Sequence, residues 1–536
     1  MNRTIKADME LIVSRPRGAR VVQDYLSGEG ASPAFFGRPF DDFSSFIEKA
    51  AEVDRRFDRA ARERAVEAII IPEDGDASRL DAFVEKGGYM VTTGQQPGLY
   101  GGAMYSLHKA LTAVRLAETL EKRLGRPVIP VFWVASDDHD WAEANHADLI
   151  GTDNELRRYE LPPLEGDRSP PLHRIEFGAE ASDVLESFIQ SIPDNDFSAE
   201  YVELLRSGFS EGCTMPGGFH ALMQKLLGPF GLFFTDAAHP AVKQHSTELL
   251  LAELERAEEL EGVLSSTADA LEASGYDLQV PIMPSGVNLF LEGPAGRERI
   301  YRDGDGFRLR TSGKPLHAAQ IRKAAETDPT TLSPNVLFRP VVESAVFPTL
   351  AYVGGPGEMA YFAQLRAYFE AHDIEMPIVF PRFAATIVET KIRKVLTKFD
   401  IGIESLNRPF HEISTELARE GVPDDVRAAI GNLRGSLGAG VGELQKAATA
   451  VDPTLKGPVQ YLRSSAFTAL DDVEKKVTQA VKRESEITLS QLEKAQLHLF
   501  PNGSPAERVQ SPIYYLTRYG GSVLERLHEA FTVNLD

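Results

Sequence analysis

The densest chemistry in this 536-residue sequence lies between Asp137 and His146, where Asp137, Asp138, His139, Asp140, Glu143, Asn145 and His146 follow an apolar run. A carboxylate beside a histidine can orient the ring and raise its basicity, so Asp138 and His139 are candidate catalytic residues, a proton-accepting pair. Asp137, Asn145 and His146 are candidate substrate contacts. Asp138, His139 and His146 could also hold a divalent ion, but their spacing matches no recognised zinc pattern and no metal is assigned. A second cluster is the turn Gly94-Gln95-Gln96-Pro97-Gly98-Leu99-Tyr100-Gly101-Gly102. Glycines let backbone N–H groups approach an anion, so Gly94, Gly98 and Gly101 are candidates for a nucleotide's phosphates. Gln95 and Gln96 suit a sugar hydroxyl or a carboxylate. No Gly-Lys-Ser/Thr follows, so this is not a Walker loop. Tyr105, His108 and Lys109 come one turn into the next helix. His108 and Lys109 diverge by roughly 100° and cannot face one ligand together; His108 is assigned to the site, Tyr105 to substrate and Lys109 to the helix surface. A third strand-to-helix turn carries Gly355, Gly357 and Glu358 as nucleotide contacts and Tyr361 as a substrate contact, although a first-turn Glu358 equally suits plain helix capping. Arg339 and Arg382 offer planar forks for carboxylates.

These clusters need elements that bring them together. The pattern is strand, Gly turn, helix (Ala103 to Leu124, with Leu107, Leu111, Val114 and Leu120 on one side) and strand (Val128 to Ala135, apolar on both faces). That is a parallel α/β unit, and such sheets bind ligands at the carboxyl ends of their strands. Residues 1–150 read as N-terminal helices and the first half of the core, 151–215 as a Pro-rich insertion and 216–275 as a continuation of the core. Residues 276–340 read as a β-rich second insertion with a hairpin at Asp303-Gly304-Asp305-Gly306, and 341–385 as the second half of the core. Residues 386–510 form a helical region, followed by a terminal segment, 511–536. In the helical region Ile430, Leu433, Leu437, Val441 and Leu444 recur at threes and fours, as do Val459, Leu462, Ala466, Leu470, Val473, Val477 and Val481. Two such seams joined by a short turn describe an antiparallel coiled coil, a natural contact for a homodimer.

Composition narrows the partners. Lys+Arg 57 against Asp+Glu 79 gives a net charge of −22, which argues against broad nucleic-acid or anionic-membrane binding while leaving room for a local basic pocket. A single cysteine, Cys213, fits a reducing cytoplasm. No apolar run approaches the ~18 residues of a membrane span, and the first twenty residues lack a signal-peptide core.

Two resemblances rest on these motifs. The order of strand, Gly turn, helix, acidic strand end, two insertions and a second Gly turn is similar to the catalytic domain of class I aminoacyl-tRNA synthetases, the methionyl type especially. Tyr105-Ser106-Leu107-His108 falls near that family's His-Ile-Gly-His signature, and Gly357-Glu358-Met359-Ala360-Tyr361-Phe362 near its ribose-binding turn. Ala384-Ala385-Thr386 stands where a Lys-Met-Ser-Lys-Ser loop would follow Arg382. More closely, TGQQPGLYGG, PVFWVASDDHDWAEANH, SPNVLFRP, FPTLAYVGGPGEMAYF, PIVFPR and LFPNGSPAERVQSPIYYLTRYG resemble, in one order, the cysteine-adding BshC family of bacillithiol biosynthesis. That resemblance implies a Rossmann-like parallel core with two connecting-peptide insertions, a dimerising C-terminal coiled coil, and a ligase joining cysteine to glucosaminyl-malate. A carboxylate must be activated before it forms an amide, so ATP or another nucleotide is expected. On this reading His108 stabilises charge at phosphorus, Asp138–His139 takes the amine proton, and Arg339 holds the malate carboxylates. The competing readings are a metal-dependent hydrolase or transferase using Asp138, His139 and His146, and a non-catalytic coiled-coil scaffold.

Overall fold

The computed structural model describes residues 9–166, 168–484 and 486–536. Five strands form the central sheet: β1 (Tyr89–Gln95), β2 (Val128–Val134), β3 (Phe233–Asp236), β4 (Thr349–Gly354) and β5 (Ile378–Pro381). Their order is β5-β4-β1-β2-β3, and every neighbouring pair is parallel. The chain moves outward from β1 through β2 to β3, then returns to start the other side at β4. The strand order therefore reverses between β1 and β4, the place where open α/β sheets leave a crevice. β2 is buried at every position, which is why its sequence shows no alternation. The helix Tyr105–Leu124 crosses between β1 and β2, buries Leu107, Leu111, Val114 and Leu120, and ends at Gly125 in the left-handed region (φ 67°). Phe83, Met90, Ile129, Val131, Trp133 and Phe233 form one apolar cluster of the core, each worth roughly 1.5–3 kcal/mol when fully buried.

Residues 276–340 contain a five-stranded antiparallel sheet. Its order is Pro315–Leu316, Gly306–Leu309, Gly296–Asp303, Gly286–Gly293 and Leu332–Pro334, and its Asp303↔Gly306 pairing closes the hairpin anticipated there. Within 151–215 lie the return strand Leu156–Glu160, paired with His146–Ile150, and the helices Glu180–Ile189 and Ser198–Gly208.

The chain divides into two compact units, and the division falls at Glu507 rather than after residue 510. Glu507–Asp536 belongs with Leu11–Ile387, because Glu507 and the residues after it are bonded into that unit. The other unit comprises Val388–Ala506 with Met9 and Glu10. Its long helices Asp424–Val451 and Lys456–Glu484 form a hairpin through the turn at Pro453–Leu455, where the Asp452 carboxylate accepts from Thr454 N–H. Arg434 bridges them to Asp471 and Glu474, each at 2.7 Å. Val441, Val459 and Leu470 are buried between the helices, while Leu433, Leu444, Leu462 and Val473 stay exposed. No described helix is long and apolar enough to cross a membrane.

Candidate active site

A cleft of about 490 Å³ opens at the carboxyl ends of β1, β2 and β4. Three sequence-predicted segments meet in it: Gly94, Gln95 and Gln96 at the end of β1; Asp137, Asp138 and His139 after β2; and Gly355, Gly357, Glu358 and Tyr361 after β4. Tyr105, Arg339 and Arg382 also line it. His108, Asn145, His146, Gly98 and Gly101 do not.

On the parallel-sheet side, each cation has a carboxylate. Lys109 is 1% exposed, and its Nζ lies 2.6 Å from Glu358 Oε2 and 3.2 Å from Gln95 Oε1, while also reaching the Gly94 carbonyl. The helix-surface reading of Lys109 is therefore wrong: it lies one turn beyond Tyr105, on the same side. Burial pushes its pKa down against the pull of Glu358. Burial opposes ionisation of Glu358, but Lys109, Tyr352 Oη–H and Gly355 N–H (2.8 Å) outweigh it and hold its carboxyl below the ordinary range. Glu358 thus caps its helix and neutralises Lys109 at once. Arg339 donates to Glu343 at 2.6 Å and to the Tyr352 and Tyr361 hydroxyls at 3.1 and 3.3 Å. Arg382 holds Glu507 in a two-pronged bond of 2.6 and 3.1 Å.

His108 completes that last pair from behind. It is fully buried, its Nδ1 lies 2.8 Å from Glu507 Oε2, and its ring meets Phe531 edge-on. Burial lowers its pKa, so it stays neutral and donates to a carboxylate. Burial also works against Glu507, yet His108 and Arg382 bring it down to about 2. His108 therefore braces Arg382 and does not reach into the cleft; the sequence placed the right turn of helix in the site but the wrong side chain.

The acidic segment after β2 is tied to the second insertion. Arg297 Nη1 lies 3.0 Å from His139 Nδ1 and 3.7 Å from Asp138 Oδ1, and the guanidinium stacks over Phe290 at 3.9 Å. Asp138 Oδ1 lies 3.4 Å from His139 Nδ1 and accepts the His139 backbone N–H at 2.7 Å. A guanidinium can only donate. The shorter contact makes Nδ1 the acceptor, so the ring proton sits on Nε2 and His139 offers the cleft a donor. Nδ1 of His139 is thus occupied by Arg297, and the nearest carboxylate to the ring is Asp138. Burial opposes ionisation of Asp138, while the His139 backbone N–H and the Arg297 charge favour it. Asp137 pairs with the buried Lys243 at 3.3 Å.

The remaining expectations have structural explanations. Gly98 and Gly101 fold the turn onto itself: Gly101 adopts φ +91°, and a Cβ there would meet Leu222 at 2.9 Å. At Gly94 a Cβ would meet the Trp133 carbonyl at 2.9 Å, so that glycine serves strand packing. Gly355 N–H is already taken by Glu358. Close packing therefore accounts for glycine at positions 94 and 101. Asn145 is 2% exposed and donates to the Leu161 carbonyl at 2.8 Å, securing the hairpin of the first insertion. His146 begins a strand and its Nδ1 lies 3.1 Å from the Ala142 carbonyl. It does not join Asp138 and His139; among the described residues no three His, Cys, Asp or Glu side chains converge as metal ligands.

Sequence reasoning missed Arg297, Arg299, Lys243, Glu343 and Glu507. The signal for two of them was present: Arg297 and Arg299 alternate on one strand of the predicted hairpin and so share a face. The signal for Glu507 was not, because its partners lie 399 and 125 residues away.

Residues 8–383 match the model of the BshC N-terminal Rossmann-like domain, and residues 385–534 that of the BshC C-terminal coiled-coil domain. Relatives named "Putative cysteine ligase BshC" include one from Salinibacter ruber, 30% identical over 84% of this chain and 82% of its own. One from Heliobacterium modesticaldum is 32% identical over 85% and 83%, and one from Geobacillus thermodenitrificans is 27% identical over 96% of both. With both domain models matched in order, this chain belongs to the BshC family of bacillithiol biosynthesis.

Proposed function

We propose that the cleft joins cysteine to glucosaminyl-malate, forming an amide between the cysteine carboxylate and the sugar amine. The observation that carries this reading is the meeting of three strand-end segments, with both carboxylates and cations, in one cleft of a chain whose relatives are named as cysteine ligases. Amide formation must expel a carboxylate oxygen and remove a proton from the amine. Asp138, the half-buried carboxylate beside His139 on the cleft wall, receives the proton of the amine. His139, oriented by Arg297, presents Nε2–H to the oxygen of the reacting carbonyl. Gln95 and Tyr105, joined by a 3.1 Å bond, position a polar substrate group beside them. A nucleoside triphosphate, when bound, supplies the activation of the carboxylate. Gly357, where a Cβ would find no atom nearer than 4.0 Å, and Arg508, exposed at the cleft rim, are the residues with room and charge to hold it.

The test is reconstitution with glucosaminyl-malate, cysteine and each nucleoside triphosphate in turn, following a thiol product by mass together with phosphate or pyrophosphate release. One nucleotide should support a product equal to both substrates less water; no product with any nucleotide would refute the reading. We also propose that the helical unit pairs two copies through Leu433, Leu444, Leu462 and Val473, whose exposure leaves an apolar stripe to cover. Sedimentation should show a dimer that Leu433→Asp with Leu462→Asp converts to monomer.

A further inference from the structure

The cations lining the cleft differ in what neutralises them. Lys109, Arg339 and Arg382 each have a carboxylate at 2.6 Å, and Arg297 has Asp138 at 3.7 Å. Arg299 has none among the described residues. Its Nε donates to the Val287 carbonyl at 3.0 Å and its Nη2 to Asn288 Oδ1 at 3.4 Å, which leaves Nη1 without an acceptor among the described residues. Yet Arg299 is half-buried, and burial, reinforced by nearby Arg310, pulls its pKa down. A cation withdrawn from water without a counter-ion is costly.

Arg299 is also held in place. Asn288 Oδ1 accepts a second bond from Asn335 at 2.9 Å, and its Nδ2 donates to Glu253 at 3.0 Å and to the Tyr368 hydroxyl at 3.1 Å. Glu253 lies in turn 3.2 Å from His372, both 1% exposed. This network takes no part in the chemistry proposed above. It fixes which way the Asn288 amide points, and so keeps its oxygen toward Arg299. On the opposite face of the same strand, Glu298 is spent on the N–H groups of Ala295, Thr311 and Ser312 and cannot neutralise Arg299.

We infer that Arg299, half-buried where Arg508 at the rim is exposed, recognises an anion in the cleft, taking a carboxylate or phosphate group of a substrate as its missing counter-ion. The inference rests on the cleft being the substrate site. A two-pronged guanidinium–oxyanion contact there contributes affinity and orientation together. The contact sets specificity against uncharged analogues, because a neutral substrate leaves the cation unpaired.

The experiment is calorimetric titration of the full chain with malate and with inorganic phosphate, without turnover, for wild type, Arg299→Gln, Arg299→Lys and Arg508→Gln. The wild type should bind at least one anion, Arg299→Gln should weaken it roughly tenfold or more, Arg299→Lys should retain part of it, and Arg508→Gln should lose less. A selective loss for malate assigns Arg299 to the carboxylate arm, and a selective loss for phosphate assigns it to a phosphate. Equal binding by wild type and Arg299→Gln, or no binding of either anion by wild type, overturns the inference. Since Lys keeps charge and size, Arg299→Lys remains informative if Arg299→Gln fails to fold. A protein that binds malate through Arg299 but makes no thiol product would refute the ligase reading and leave this inference standing.

Discussion

The two walls of the cleft treat positive charge in opposite ways. On the wall built by the parallel strands and their helices, Lys109–Glu358, Arg339–Glu343 and Arg382–Glu507 are closed ion pairs at 2.6 Å. On the wall supplied by the antiparallel insertion, Arg297 shares its charge with Asp138 at 3.7 Å and Arg299 has only neutral acceptors. The first wall spends its charge on rigidity; the second keeps charge for a ligand. Mutations on the first wall should therefore register mainly as stability, and on the second mainly as binding and turnover.

The largest effect is expected at Glu358. Glu358→Ala strands Lys109 in the interior and should cost about 3–5 kcal/mol in denaturant unfolding. Lys109→Met combined with Glu358→Leu, which removes both charges, should recover much of that loss. Stability unchanged in Glu358→Ala would break the contrast between the walls.

Glu507 sharpens it through pH. A carboxyl lowered on folding stabilises above its unfolded pKa, and that contribution disappears as pH falls through the folded value. With the group taken from 4.5 to about 2, Glu507→Gln should cost on the order of 3 kcal/mol at pH 7. The difference from wild type should shrink between about pH 4.5 and pH 2. A difference that stays constant over that window would mean that the Arg382–His108 surroundings do not stabilise the ionised form.

On the second wall, His139→Ala should reduce turnover roughly a hundredfold with little change in substrate KM or in unfolding free energy. Arg299→Gln should alter stability least, within about 0.5 kcal/mol of wild type, while weakening anion binding. If Arg299→Gln instead unfolded the protein as readily as Glu358→Ala, the two walls would be equivalent and the division of labour wrong.

Much of the fold was legible because the parallel strands are continuous apolar runs ending abruptly in Gly or Asp, and the crossover helix repeats leucine at helical spacing. The meeting of the strand-end segments followed from the rule that parallel strands present ligands at one end. Side-chain direction was less legible. His108 and Lys109 are adjacent, and only the packed position of Glu507, 399 residues on from His108, decides which one turns away from the cleft. Glycine was misread for a related reason: Gly94 and Gly101 answer to Trp133 and Leu222, contacts that local spacing does not encode. At His139 the partner of Nδ1 is the guanidinium of Arg297, which arrives from the second insertion and leaves no mark on the local sequence.

The claim on which the account turns is that Asp138 receives the amine proton in a cleft that joins two substrates. The rate of amide formation at saturating cysteine, glucosaminyl-malate and nucleotide, compared between wild type and Asp138→Asn, tests it most directly. The account predicts a fall of at least roughly a hundredfold, with wild-type unfolding behaviour and unchanged malate binding. An undiminished rate in Asp138→Asn would contradict it.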